Sequence, residues 1–429
     1  MPTINVDENL NDNILIIGAG EAGGRLAETF YYQGCKKVLA INTAHSDLDG
    51  LNIEESNKFL IPVTKGSGAG KDPNVVRNAV DSFYDDVLRF IRDKVKDVDS
   101  VIICIGGGGG SGGGLGIVLA QIISELNLPV GIVYTLPLMN ESTLVFVNAL
   151  DNLKEIHQNA KDASISPLII VDNNKLVKEF TPTAANFWAP LNNAVVSVIR
   201  KFNEYSQKPS KFISALDRQD LKRLLSTGGV CAIGSFDINE DFDDIKIMEE
   251  IETRFFMDGF DLKTSSACGV IVVGSEKALQ TNNSVKAINL VFDKLNILLD
   301  GGFFARGVYA DENVRYLKVY VLFNGLTLPT EHINDMMKQV RAGYSKMKTQ
   351  QNRLDDGVHV DFGNGVGGLF NSPTGARKIQ RKSGLPTSDT YTDENPTSET
   401  TGADSNHRPS TPKVEQNPIR IPGMKRGGR

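Results

Sequence analysis

The chain has 429 residues, 40% of them apolar, which is room for two or three domains and excludes a wholly disordered, collagen-like or fibrous protein. Its 46 basic and 52 acidic side chains leave a net charge of -6, which argues against a generally basic nucleic-acid binder. The four cysteines (Cys35, Cys104, Cys231, Cys268) and the five histidines are scattered, so neither a disulfide scaffold nor a metal cluster is expected. The polar, acidic opening MPTINVDENLNDN reads against a secretory signal, and no run of about 18 apolar residues occurs; the expectation is a soluble cytoplasmic protein.

From Asn13 onward, short apolar runs alternate with helical text. NILIIGAG predicts a strand entering a glycine turn, EAGGRLAETFYYQG a helix and KVLAINT a second strand. DPNVVRNAVDSFYDDVLRFIRDKV predicts one long amphipathic helix, followed by the strand SVIICIGG and the helix LGIVLAQIISELN. PVGIVYTLP and SPLIIVDN read as further strands. This alternation predicts a parallel sheet covered on both faces. Leu191, Ala194, Val195, Val198, Ile199 and Phe202 then recur at i, i+3, i+4, i+7, i+8 and i+11, one apolar face of a helix from about Pro190 to Tyr205.

After Gly228 the pattern changes. VCAIGSFDI, GVIVVGS, GFFARGVYA and RYLKVYVLFNG predict four strands, with the helix NSVKAINLVFDKLNILL among them, a smaller α+β unit. A charged helix follows from Pro329 to Gln350. Residues 371–429 hold seven of the 17 prolines and a single aromatic, Tyr391, and carry ten basic against six acidic side chains. Such a segment buries too little apolar surface to offset its ordering entropy and is expected to be disordered. Its end, IRIPGMKRGGR, reads either as a docking peptide or as a solvated tail.

Three glycine loops carry the chemistry. Gly18-Ala19-Gly20-Glu21-Ala22-Gly23 is a G-x-G-x-x-G between a strand and a helix, which permits close approach of phosphates to a helix N-terminus. Alone it is a weak signal, and Asn42 stands where a dinucleotide site normally has a ribose-binding acid. Gly66-Ser67-Gly68-Ala69-Gly70-Lys71 fails as a Walker A motif, because Lys65 falls at its first glycine and Asp72 follows the lysine. It remains either a turn or a second phosphate cradle. Gly106 to Gly114, interrupted only by Ser111, is the strongest signal: eight glycines between the strand VIICI and the helix LGIVLAQII, whose N–H groups can wrap a di- or triphosphate.

These loops, with the apolar helix after the sheet, resemble the tubulin/FtsZ superfamily over about residues 13–328. The family signature GGGTGTG is matched by Gly108-Gly109-Gly110-Ser111-Gly112-Gly113-Gly114, with Ser and Gly replacing the two threonines. The first-loop pattern Gly18-x-Gly20-x-x-Gly23-Gly24, Asn42-Thr43, and Gly68-Ala69-Gly70-x-Asp72-Pro73 also match. Thr135-Leu136-Pro137 with Glu141 is similar to the loop under the ribose, and Asn173 lies in a segment similar to I-P-N-D-K-L.

The resemblance implies an α/β fold with a Rossmann-like sheet and GTP or GDP as ligand, with Mg2+ accompanying it. Gly20, Glu21, Gly24, Arg25 and the Gly68–Gly70 and Gly108–Gly114 loops would surround the nucleotide. Trp188 and Asn192, four apart, would stack on the guanine and bond its edge; read without the resemblance, they are a core aromatic and a solvated polar residue. Phe187 is a rival for the stacking role. Asp217-Arg218-Gln219-Asp220 resembles the family's catalytic loop, N-x-D-x-x-[DE], whose acids orient water in the next subunit's site; alone it is an ordinary acidic pair at a helix start. Departures are Ala44 where bacterial members often have Asp, Ala215 for the catalytic-loop asparagine, Val145 for an arginine and Arg25 for an asparagine. The terminal helix and basic tail look more like the plasmid and phage TubZ-like branch.

The expected organisation is a flexible segment 1–12, a GTP-binding domain 13–183, a central helix and catalytic loop 184–227, an α+β domain 228–328, a helix 329–350 and a disordered tail 351–429. The expected activity is GTP hydrolysis coupled to head-to-tail polymerisation, for DNA segregation or positioning or for cell division, with an adaptor or membrane-protein partner at the tail. A non-hydrolysing nucleotide-gated scaffold and, further off, a Rossmann-type NAD-dependent oxidoreductase are the alternatives.

Overall fold

The computed structural model describes residues 13–239 and 242–355. Ten strands form one sheet: β1 (Ile14–Ala19), β2 (Val38–Asn42), β3 (Lys58–Leu60), β4 (Ser100–Gly106), β5 (Val130–Leu136), β6 (Leu168–Asp172), β7 (Val230–Ile238), β8 (Ala267–Gly274), β9 (Phe303–Ala310) and β10 (Leu317–Leu326). Their spatial order is β3-β2-β1-β4-β5-β6-β7-β10-β8-β9. The first seven run parallel, and β10 pairs antiparallel with both β7 and β8. The mostly parallel α/β sheet expected from the sequence is therefore present. The smaller α+β unit continues the same sheet: β6 meets β7 through Leu168↔Val230 and Ile169↔Cys231.

The helices are α1 (Gly20–Tyr32), α2 (His45–Asp49), α3 (Pro73–Arg77), α4 (Tyr84–Arg92), α5 (Gly110–Glu125), α6 (Thr143–Lys161), α7 (Asn173–Phe180), α8 (Trp188–Tyr205), α9 (Arg218–Leu225), α10 (Asp244–Thr253), α11 (Glu276–Leu279), α12 (Asn282–Leu299) and α13 (Thr330–Asp355). Side chains alternate across the strands, as a pleated sheet requires. Leu15 and Ile17 join the core beneath α5, α6 and α12, while Ile14 and Ile16 join the core beneath α1 and α8. Leu191, Val195, Val198 and Phe202 of α8 are all buried in that second core, along the stripe that the periodicity predicts.

Three expectations need correction. The single helix over Asp72–Val95 is two helices, α3 and α4, although Val76, Phe83, Val87 and Ile91 are buried at helical spacing. Ser82 turns its hydroxyl back onto the Ala79 carbonyl in a 3₁₀ turn over Val80–Ser82, a competition with the helical ladder that Ser favours. The helix after the glycine run begins at Gly110, not Leu115, so five residues read as loop are helical. α6, nineteen residues between β5 and β6, was not anticipated: its buried stripe Val145, Phe146, Ala149, Leu153, Ile156 has a polar residue, Asn152, in its middle.

Residues 1–12 and the tail from 356, with its basic end, lie outside the described residues, and α13 runs five residues past its expected end. Among the described residues no helix is long and apolar enough to cross a membrane.

Candidate functional site

The strand order β3-β2-β1-β4-β5-β6 reverses direction between β1 and β4. In open parallel sheets, ligands bind outside the carboxyl ends of the strands at such a switch point. Here that place holds a cavity of about 760 Å³, walled by the three glycine loops, the β5–α6 loop and the start of α8.

Two helices open into it. Gly20 starts α1 and Gly110 starts α5, and neither N-terminus has a side-chain cap. Of the remaining helices with a described N-cap, α3, α6, α7, α9, α10, α11 and α12 are capped by Asp, Ser or Thr, while α2, α4 and α8 are not. Uncapped N–H groups are donors in want of acceptors, and the helix dipole adds partial positive charge there. Two such ends facing one cavity suit a polyanion. The two loops also lock together. Gly20 has φ +72°, and a Cβ on it would lie 2.7 Å from the Gly112 nitrogen, so both turns pack backbone to backbone. Ser111 hydrogen-bonds Thr43 hydroxyl to hydroxyl at 2.6 Å, tying α5 to the end of β2.

Of the residues singled out from sequence, Gly20, Glu21, Arg25, Gly68, Ala69, Gly70, Gly108, Gly109, Gly110, Ser111, Gly112, Thr135, Pro137, Glu141, Asn173, Trp188 and Asn192 line this cavity. Five do not. Gly18 and Gly24 sit behind the wall, where a Cβ would meet the Gly23 carbonyl or the Leu51 side chain. Gly113 and Gly114 lie inside α5, pressed against Asn152 and the Pro73 carbonyl. These glycines let neighbouring elements pack closely and are not part of the cavity wall. Asn42 is 2% exposed and staples its own turn, accepting from the Thr43 and Ala44 N–H groups and donating to Asp47.

Several wall residues escaped the sequence reading. Asp47 supplies an acid near the end of β2, five residues after the position inspected for one. Lys71 reaches the wall although its loop fails as a Walker A motif. Asn152, beneath the wall, donates to the Gly107 carbonyl at 2.8 Å and accepts from Arg77, holding the third loop from below. Its signal was a buried polar residue inside an apolar helical stripe.

At the far end of the cavity Trp188 is half-buried, with Phe187 packed edge-on at 4.9 Å. Trp188 faces the cavity and Phe187 does not. Arg25 pairs with Glu21 at 2.6 Å, and its guanidinium carbon lies 6.0 Å from the Trp188 ring centroid. The β5–α6 loop is held by its own side chains. Glu141 accepts from the Leu138 N–H, and Asn174 accepts from Met139 while donating to the Pro137 carbonyl. Asn174 also donates to the buried Asp172. Burial alone would raise the Asp172 carboxyl. The nearby His332 imidazole and the hydrogen bonds from Asn174 outweigh that and hold it below its ordinary value.

The acids Asp217 and Asp220 are not at this cavity. They open α9 as a capping box: Asp217 accepts from the Gln219 and Asp220 N–H groups, each at 2.8 Å, and Asp220 accepts from the Asp217 N–H. Between them Arg218 is ion-paired with Asp99, the residue before β4. The cavity lies at the other end of β4, beyond Gly106. A seven-residue strand separates the two ends by roughly 20 Å.

Residues 13–181 match the model of the Tubulin/FtsZ family, GTPase domain. The chain is 25% identical over 400 residues to the tubulin-like protein TubZ of Bacillus thuringiensis subsp. israelensis, covering 81% of each. It is 26% identical over 329 residues to cell division protein FtsZ 1 of Thermococcus kodakarensis, covering 75% of this chain and 83% of that one. A solved GTPγS-form protofilament of Bacillus thuringiensis serovar israelensis TubZ superposes with a TM-score of 0.70 at 23% identity, covering 81% of this chain and 96% of that chain. All three glycine loops converge on one cavity, which a lone dinucleotide fingerprint would not require, and the nicotinamide reading falls away. Residues 13–181 are a GTPase domain of the Tubulin/FtsZ family.

Proposed function

We propose that the chain polymerises head to tail and hydrolyses GTP at the contact between subunits, with Asp217 and Asp220 acting on the nucleotide of the next subunit. The observation that carries this reading is the distance between the acids and the cavity within one molecule. Roughly 20 Å of strand lies between them, so carboxylates on α9 cannot orient water in their own cavity. A second copy stacked end to end brings them there. Each acid gives one carboxylate oxygen to the capping box. The second oxygen is the one a neighbour's water would meet. The TubZ protofilament among the similar structures supports such stacking.

In this reading the uncapped ends of α1 and α5 cradle the phosphates, with Gly68 adding to the cradle and Ala69 and Gly70 at the γ end. Glu141 and Asn173 hold the ribose and base side, Trp188 stacks on the guanine, and Asn192 bonds its edge. Phosphoryl transfer needs little covalent help from a protein. It needs in-line placement of water and stabilisation of charge on the equatorial oxygens. No cluster of three or more metal-binding side chains occurs among the described residues. A Mg2+ ion would therefore arrive on the phosphates; Asp47, on the wall beside Ala44, is the carboxylate suited to meet it. Such an ion would supply charge neutralisation to the phosphates.

DNA segregation or positioning is the process we favour, because TubZ aligns over more of this chain than the FtsZ relative does. Ala44, Ala215 and Val145 keep a non-hydrolysing scaffold as the second reading. Asp217→Ala separates the two. The expected result is filaments that form with GTP, turn over at least about a hundredfold more slowly and no longer disassemble. Parental hydrolysis in that variant would remove the catalytic assignment.

A further inference from the structure

We propose that Arg25 is the residue that makes this site prefer guanine over a 6-aminopurine; the proposal rests on the nucleotide reading of the cavity given above. Arg25 and Glu21 stand one turn apart on α1, with side chains 41% and 59% exposed. An exposed i, i+4 ion pair contributes little to stability, so the fold has little need of this one. Two features set it apart. Both side chains line the cavity, and the guanidinium carbon stands over the ring of Trp188, 6.0 Å from its centroid.

The chemistry of the wall then separates Arg25 from its neighbours. Asn192 carries both an amide N–H₂ and a carbonyl oxygen, and a rotation of the side-chain amide suits it to either purine edge. Asn192 alone cannot reject adenine. A guanidinium has donors only and cannot be deprotonated. It therefore pairs with acceptors and is repelled by an amino group. Guanine offers two adjacent acceptors, O6 and N7, a match for the guanidinium fork; adenine replaces O6 with an amino donor. Glu21 accepts from one guanidinium nitrogen of Arg25 at 2.6 Å. Trp188 gives the base a face to lie on, so that its edge meets the fork.

The test is calorimetric titration of the full chain with GTP and with the triphosphate of 2,6-diaminopurine riboside, which differs from GTP by the amino group at position 6 and the N1 proton. The parent is expected to bind GTP about tenfold or more tightly than the analogue, the discrimination of one bidentate pair. Arg25→Ala should reduce that ratio to near one while keeping the parental affinity for the analogue, since the phosphate cradle is intact. Arg25→Lys, which keeps the charge and loses the fork, should fall between. An Arg25→Ala protein that keeps the parental ratio overturns the proposal, and so does a parent with no preference. Loss of affinity for both ligands in Arg25→Ala would assign Arg25 to holding the fold or the phosphates instead. A parent that binds neither ligand would bring down the nucleotide reading itself.

Discussion

Trp188 is the only tryptophan in the chain, and it stands on the cavity wall. Its emission therefore reports on whatever lies against the ring. Titration with GDP or GTP is expected to quench or shift that emission with a single saturating curve. Nucleotide binding detected calorimetrically with no change in emission would place the base elsewhere. At this scale much of the site was legible, for a physical reason. A glycine needed for close backbone approach has no substitute, and a pair four apart on a helix shares a face. What was illegible were roles decided by a fold in three dimensions. Asn42 looked like the ribose position because it ends β2, yet its side chain is consumed by its own turn. Asp47 faces the cavity only because α2 turns back toward it. Gly113 and Gly114 belong to the same run as Gly108, and nothing in the run says which glycines face a ligand and which face Asn152 or Pro73.

The elements show where periodicity suffices and where it misleads. α8 announced itself through an uninterrupted apolar stripe. α3 and α4 share one stripe across a break that Ser82 makes locally, so the pattern alone could not reveal two helices. α6 was hidden by the buried Asn152. The terminal helix α13 was legible as a helix but not in its attachment. His332, near its start, lies 3.7 Å from Asp172, an ion-pair rather than a hydrogen-bond separation, with Asp258 and Lys175 also nearby. The Asp172 carboxylate raises the His332 pKa above 6.5 despite the opposing effect of burial. A histidine raised in the folded state stabilises it below its unfolded pKa, and that contribution is lost as pH rises through the folded value. The melting temperature of His332→Gln should therefore fall furthest below the parent near about pH 6 and approach it by about pH 8. A difference that is flat or grows with pH would show that the ion pair does not hold α13 to the end of β6.

The ten described strands form one continuous sheet, with a nucleotide-sized cavity at one end of its parallel strands and a capped acidic pair at the other. A contact between unlike ends is heterologous, and a heterologous contact that does not close by rotation generates an open polymer. In the proposed reading activity and assembly are a single event, because each contact would complete one site. In the sequence this reading rests on the family resemblance of Asp217-Arg218-Gln219-Asp220 alone. The carboxylates and the glycine loops are recognisable separately, but the length of strand between them depends on where Asp99 and Gly106 fall along β4. The measurement that tests it most directly is GTP hydrolysis against protein concentration, with light scattering recorded in the same cuvette. The account predicts a threshold concentration above which turnover and scattering rise together, with turnover climbing faster than linearly through it. Hydrolysis strictly proportional to concentration, with no scattering at any concentration reached, would contradict it.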